Sequence, residues 1–215
     1  QASDFVVDAS LDPKSRRAVD ADSGLVVQGK IMHIARFAGG DLKVTLKVIP
    51  NSTKAPNANV ILSSSQGWQG QLCGAGFKYE GLRSLKIDSA ARKKGGYVID
   101  LPASVLVVLD GKQPRRRMPQ VLAAEESPAL KARANKITVQ RSRKGKIKLK
   151  IGSRTVYQVR PVSGWDAPGQ IAIAPFDSEV VVSSLSIVGK LDDGWAEERI
   201  AELATAESNA LPAPK

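Results

Sequence analysis

KVTLKVI, residues 43–49, alternates without a break, with Val44, Leu46 and Val48 on one side and Lys43, Thr45 and Lys47 on the other. A period of two places such sets on opposite faces of a half-buried β-strand. The same alternation recurs in KITVQR (136–141) and KIKLKI (146–151). GLVVQGKIMHIARF (24–37), RTVYQVR (154–160), QIAIAPF (170–176) and EVVVSSLSIVG (179–189) are also β-rich. SVLVVLDGK (104–112) is a continuous apolar run that ends in Asp-Gly, a hairpin signal. Gly39-Gly40-Asp41 and Gly152-Ser153 read as turns. The pattern predicts about ten strands joined by turns, which argues for an all-β, two-sheet sandwich or barrel.

Helix is expected in two places. VLAAEESPALKARA (121–134) predicts a short helix interrupted by Pro128. Residues 193–208 predict a longer one, capped by Asp192 or Asp193, with Glu197 and Glu198 suited to its positive N-terminus. Ala196, Ile200, Leu203 and Ala204 form its narrow apolar stripe, and Pro212 and Pro214 end it. The expected organisation is a sandwich over 1–190 and an acidic helix and tail over 191–215, the helix packing on the sandwich or leading onward.

Composition narrows the function classes. The 215 residues suffice for one large β domain or two small ones. A single cysteine, Cys73, excludes an internal disulfide, and a single histidine, His33, leaves too few ligands for a Cys/His zinc site. No metal or cofactor is expected. Cys73 reads as a small buried apolar residue, with a Cys–His pair as the alternative. No apolar run reaches the roughly 20 residues of a membrane span. No basic-then-apolar leader stands at the start, which fits a cytosolic, a mature exported or a trimmed chain.

Charge changes the picture more. The net charge is +11, and residues 112–160 alone hold 15 Lys/Arg against 2 Asp/Glu. Residues 161–215 run the other way, with 3 Lys/Arg against 9 Asp/Glu. The candidate basic surface is Arg115, Arg116, Arg117, Arg141, Arg143, Lys144, Lys146, Lys148 and Lys150. In KIKLKI the lysines share one face. Solvation or edge protection explains why that face is polar, but neither requires it to be wholly cationic. An acidic polysaccharide, an acidic protein, an anionic lipid surface or the acidic tail would balance it. Nucleic acid is not the expected partner, because the cations sit on strands and turns without interleaved aromatics.

Two blocks resemble a known family. In 24–65, Gly24, Val26 and Gly29 precede Asp41 at the start of a long strand, and Asn59-Val60-Ile61 follows. In 135–189, Asn135 opens a strand, Lys144-Gly145 makes a hairpin, and Pro168-Gly169-Gln170-Ile171-Ala172-Ile173 precedes a last strand from Val180 to Val188. These blocks resemble concanavalin A-like jelly-roll domains of the 3-keto-disaccharide hydrolase and laminin-G-like kind. The resemblance implies a two-sheet antiparallel jelly roll, and an exported location, whether periplasmic, cell-surface or extracellular. Gly152-Ser153 stands where the family has Asn-Gly, and Ala172-Ile173-Ala174 where a Gly-Leu pair is common. None of the family's catalytic residues is matched.

Sugar recognition would use an aromatic platform beside hydrogen-bonding side chains. Trp68 with Gln66, Gln69 and Gln71, and Trp165 in SGWDAPG, are the candidates, with Tyr79 and Tyr97 as further aromatics. Packing at the core rim is the competing role for each. A glycosidase needs two carboxyls across the scissile bond. Asp88, Asp100, Asp110, Asp166, Asp177 and Glu179 are available, and no pair stands out. The expected function is a non-catalytic module that binds carbohydrate or joins a larger assembly. A keto-sugar or glycoside hydrolase and a protein-interaction module using 112–160 are the alternatives.

Overall fold

Alternating strands with one buried face need a second layer, and here one long strand serves both layers. The computed structural model describes residues 1–7, 17–51, 57–64, 70–75, 95–101, 120–160, 167–175 and 178–210. Among these, in chain order, are β1 (Phe5–Val7), β2 (Arg17–Ala21), β3 (Gly24–Gln28), β4 (Ile31–Pro50), β5 (Ala58–Ser64), β6 (Gly70–Ala75) and β7 (Gly95–Leu101). They continue with β8 (Gln120–Glu126), β9 (Asn135–Arg141), β10 (Ile147–Ile151), β11 (Arg154–Val159), β12 (Gly169–Ile173), β13 (Glu179–Leu191) and the helix α1 (Asp193–Ala210).

All pairings are antiparallel. The second half of β4 lies between β9 and β13, giving a front sheet ordered β2-β3-β13-β4-β9-β10-β11. The first half of β4 lies between β1 and β12, giving a back sheet ordered β1-β4-β12-β5-β6-β7-β8. The main core lies between them, where Val44, Leu46, Ile137, Val139, Ile147 and Leu149 of the front sheet join Val60, Leu62, Cys73, Val98 and Ile173 of the back sheet. The protein is therefore an all-β, two-sheet antiparallel jelly-roll sandwich with a C-terminal helix.

The back sheet is buried on its outer side as well. Met32, Ala172, Ile61, Leu72 and Ile99 are register partners across five strands and form one apolar row. Beside it, the ring of Tyr97 lies over Gly74, and a Cβ there would fall on the ring carbons. The Tyr97 hydroxyl donates to Asn59 Oδ1 at 2.7 Å, and Asn59 Nδ2 donates to Asn57 Oδ1 at 2.7 Å and to the carbonyl of Ala174 at 2.9 Å. Tyr97 is thus a core residue rather than a sugar platform.

Two expectations need correction. Gly39-Gly40-Asp41 is not a turn, since β4 runs through it without interruption. Gly40, at φ +95°, bends the strand where it passes from one sheet to the other, and in sequence such a bend looks like a turn. Residues 121–134 hold no helix. Val121–Glu126 pair with β7, and this non-local pairing overrides the helix-forming composition. The next loop is organised by Asn135, whose Oδ1 accepts from the Lys131 N–H at 2.9 Å and whose Nδ2 donates to the carbonyls of Lys131 and Arg133 at 2.8 and 2.7 Å.

The helix forms as expected, with Asp192 Oδ1 accepting from the Trp195 N–H at 3.0 Å as its cap. Its stripe does not pack on the sandwich. Trp195 alone of the helix joins the core periphery, and Ile200 and Leu203 are 67% and 51% exposed. A stripe half made of alanine offers little area to bury. Within the helix Arg199 pairs with Glu202, and Asp193 at its start pairs with Lys190 of β13, both at 2.7 Å. Among the described residues its acids make no ion pair with the lysines of 141–152.

Candidate functional site

The outward positions of β4, β9, β10 and β11 are polar because their neighbours one residue away fill the core. Register aligns them into rows. One row runs Val188, Lys43, Gln140, Lys148, Gln158. The next runs Ser186, Thr45, Thr138, Lys150, Thr155, and a third holds Ser184, Lys47, Lys136. No carboxylate occupies these rows. Lys47 stands directly opposite Lys136, a like-charge pairing that by itself destabilises a sheet. Lys148 and Lys150 are half-buried, and Thr138, the register partner of Lys150, is buried. The lysine stems therefore lie along the sheet with their ammonium groups outward. The arrangement is a field of cations interspersed with hydroxyls and amides on one sheet face.

The structure sorts the sequence candidates. Arg143, Lys144 and Lys146 are exposed at the β9–β10 hairpin, adjoining Lys148 and Lys150. Arg141 departs from the set. It points inward and is 3% exposed. Its Nε donates to the carbonyl of Gly40 at 3.0 Å, Nη2 to that of Ala38 at 3.1 Å, and Nη1 to Ser63 Oγ at 2.7 Å. It thereby ties the bend of β4 to β5. Gln71 is likewise interior, beside Cys73 on β6, and its Oε1 has no hydrogen-bond partner among the described residues. Trp68, Gln66, Gln69, Trp165, Tyr79, Arg115, Arg116 and Arg117 lie outside the described residues, as do the 104–112 strand, Asp88, Asp110, Asp166 and Asp177. Glu179 is engaged by Asn51 Nδ2. Lys136, within the basic 112–160 segment, belongs to the field, and so do Lys43 and Lys47, which were missed. Their alternation was visible, but the adjacency of β4 to β9 was not.

Neither Cys73 nor His33 is poised for catalysis. Burial pushes the Cys73 thiol up to about 12, against the lowering by neighbouring Tyr157 and Arg141, so no thiolate forms at neutral pH. His33 sits between Phe5 and Phe37, with ring centroids 5.5 and 6.0 Å away. Its Nδ1 accepts from the Ala35 N–H at 3.1 Å. Burial holds its pKa below the ordinary value, with Asp4 opposing. The unfolded chain then takes up this proton near pH ~6.5 and the folded one only at lower pH, so stability falls as pH drops below that value. Acidification from pH 7.5 to 5.5 should lower the melting temperature of the wild type more than that of His33→Gln. Equal losses would assign the effect to other groups.

Among the described residues no group of three or more His, Cys, Asp or Glu is placed to hold a metal ion, and no helix is long and apolar enough to cross a membrane. No protein-family model matches the chain, and no curated protein matches it. Solved structures do. The carbohydrate-binding module CBM66 from Bacillus subtilis is similar with a TM-score of 0.58 at 12% identity, over 86% of this chain and 94% of that one. A Bacillus subtilis protein of unknown function with a galectin-like fold gives 0.56 at 10% identity, over 88% and 90%. A putative glycosyl hydrolase from Parabacteroides distasonis gives 0.50 at 12% identity, over 88% and 89%. At such identities the likeness is one of architecture and does not single out the 3-keto-disaccharide hydrolases. This chain shares the jelly-roll sandwich of these proteins.

Proposed function

We propose that this protein is a non-catalytic binding module for an acidic polysaccharide, held on the outer face of the front sheet. The observation that carries the reading is the carboxylate-free field of Lys43, Lys47, Lys136, Lys148 and Lys150 among Thr45, Thr138, Gln140 and Gln158. The lysines supply attraction at long range, and the hydroxyls and amides offer hydrogen bonds to sugar hydroxyls. The likeness to a carbohydrate-binding module supports a sugar ligand, and the charge supports an anionic one. An exported location, at the cell surface or beyond it, accompanies that ligand.

The test is a panel of polygalacturonate, a sulfated polysaccharide, a neutral glucan and an acidic protein, measured at about 0.05 M and 0.5 M salt, where screening differs strongly. Lys148→Glu/Lys150→Glu removes two attractions and adds two repulsions. It should weaken acidic-glycan binding roughly 100-fold, from about 2–3 kcal/mol. Binding of the neutral glucan, unaffected by the double substitution, would overturn the reading. Binding of the acidic protein alone would make this an interaction module.

A further inference from the structure

The lysine field ends, at the bend of β4, in a depression of about 460 Å³. Three glycines line it, Gly39 and Gly40 on one strand and Gly189 on the next, together with Leu42. A Cβ built on Gly40 meets nothing within 4 Å, so the space above it is open. With no side chain at Gly40, a flat ring can approach the backbone closely there. Lys43, Gln140 and Arg143 line the sides, and Val188, 63% exposed, stands at the edge.

The charges here are not equivalent. Asp41 also lines the depression, but its Oδ1 accepts from the Arg143 N–H at 2.7 Å, and its Oδ2 is 4.0 Å from Arg143 Nε. Lys190 is held by Asp193 at 2.7 Å. Lys43 has no ion pair among the described residues. The Arg141 guanidinium adds positive charge while it fixes the bend through the carbonyls of Ala38 and Gly40. The depression is therefore net cationic, and its bend is held by Arg141.

We infer that this depression is the anchoring subsite of the front face and that it seats one unit of an acidic sugar. The ring lies over Gly40, the carboxylate or sulfate meets Lys43, and hydroxyls reach Gln140. The remainder of the polymer continues over Lys148 and Lys150. The inference rests on the acidic-polysaccharide reading and adds to it a short ligand, a location and an anchoring cation.

The experiment is calorimetric titration of the full chain with a galacturonate disaccharide, its methyl ester and a sulfated disaccharide. Polygalacturonate is titrated in parallel. At least one charged disaccharide binds, and which one identifies the anionic group. The ester binds at least about tenfold more weakly than the free acid if the carboxylate is that group. Lys43→Gln costs the charged disaccharide about tenfold, and Val188→Trp, which fills the depression from an exposed position, abolishes its binding. Lys150→Gln leaves the disaccharide within about twofold while weakening the polymer. Melting curves confirm that each variant is folded. A polymer that binds while both disaccharides fail, or a disaccharide indifferent to Lys43→Gln and Val188→Trp, overturns the subsite and leaves the broader reading standing. Failure of polymer and disaccharides together overturns both.

Discussion

Arg141→Met lowers the melting temperature by about 10 °C. The wild-type guanidinium, 3% exposed, donates to two carbonyls at the bend of β4 and to Ser63 Oγ. Methionine keeps much of the apolar volume and none of the donors. The carbonyls of Ala38 and Gly40 are then left without these bonds. Each lost bond to a charged donor is worth about 1.5–3 kcal/mol, and partial relaxation brings the total to roughly 3–4 kcal/mol. At about 2–4 °C per kcal/mol for a chain of this size, the shift follows. Arg141→Lys recovers part of it at most, because one ammonium cannot span three acceptors arranged for a planar fork. Calorimetric melting of the three proteins settles the matter. A loss under about 1 kcal/mol for the methionine variant would show that the bend holds without this tie.

Gly74→Ala costs nearly as much, although it adds one methyl group. The new Cβ would occupy the place of the Tyr97 ring, which is 1% exposed. The ring must leave, and with it goes the hydroxyl that donates to Asn59 Oδ1. Overpacking of this kind costs about 1–3 kcal/mol, and the orphaned acceptor adds about 1–3 kcal/mol. Tyr97→Ala is destabilising by itself, through cavity formation and the same orphaned acceptor. Combined, the two substitutions should be far from additive, because removing the ring removes the clash. The measurement is the double-mutant cycle in urea. Additivity within about 0.5 kcal/mol would mean that ring and glycine do not oppose each other as described.

Much of the fold was legible along the chain. KITVQR, KIKLKI, RTVYQVR and EVVVSSLSIVG became β9, β10, β11 and β13 nearly as spelled, because a half-buried strand imprints its period of two on every residue. The misread segments are those where local composition serves two masters. Gly39-Gly40 permits a turn or a bend, and the choice falls to the partners on either side of β4, namely β12 and β1 before the bend and β9 and β13 after it. Residues 121–126 favour helix by composition, yet β7 offers them a strand's hydrogen bonds. Arg141 reads as one more cation of a basic run, although the period of two in KITVQR puts it on the same face as Ile137 and Val139, the face that is buried.

The amino-acid sequence by itself determined which side of each strand is wet, and hence that Lys43, Lys47, Lys148 and Lys150 face outward, since alternation is a property of adjacent residues. Only the tertiary structure decided that β4 lies against β9, some ninety residues on, in a register that sets Lys47 opposite Lys136 and places Lys43 one row-step from Lys148 through Gln140. Pairing between distant strands depends on how two sheets close around a shared core. No local period records that, so the cationic field exists in the fold and only its separate stripes exist in the chain.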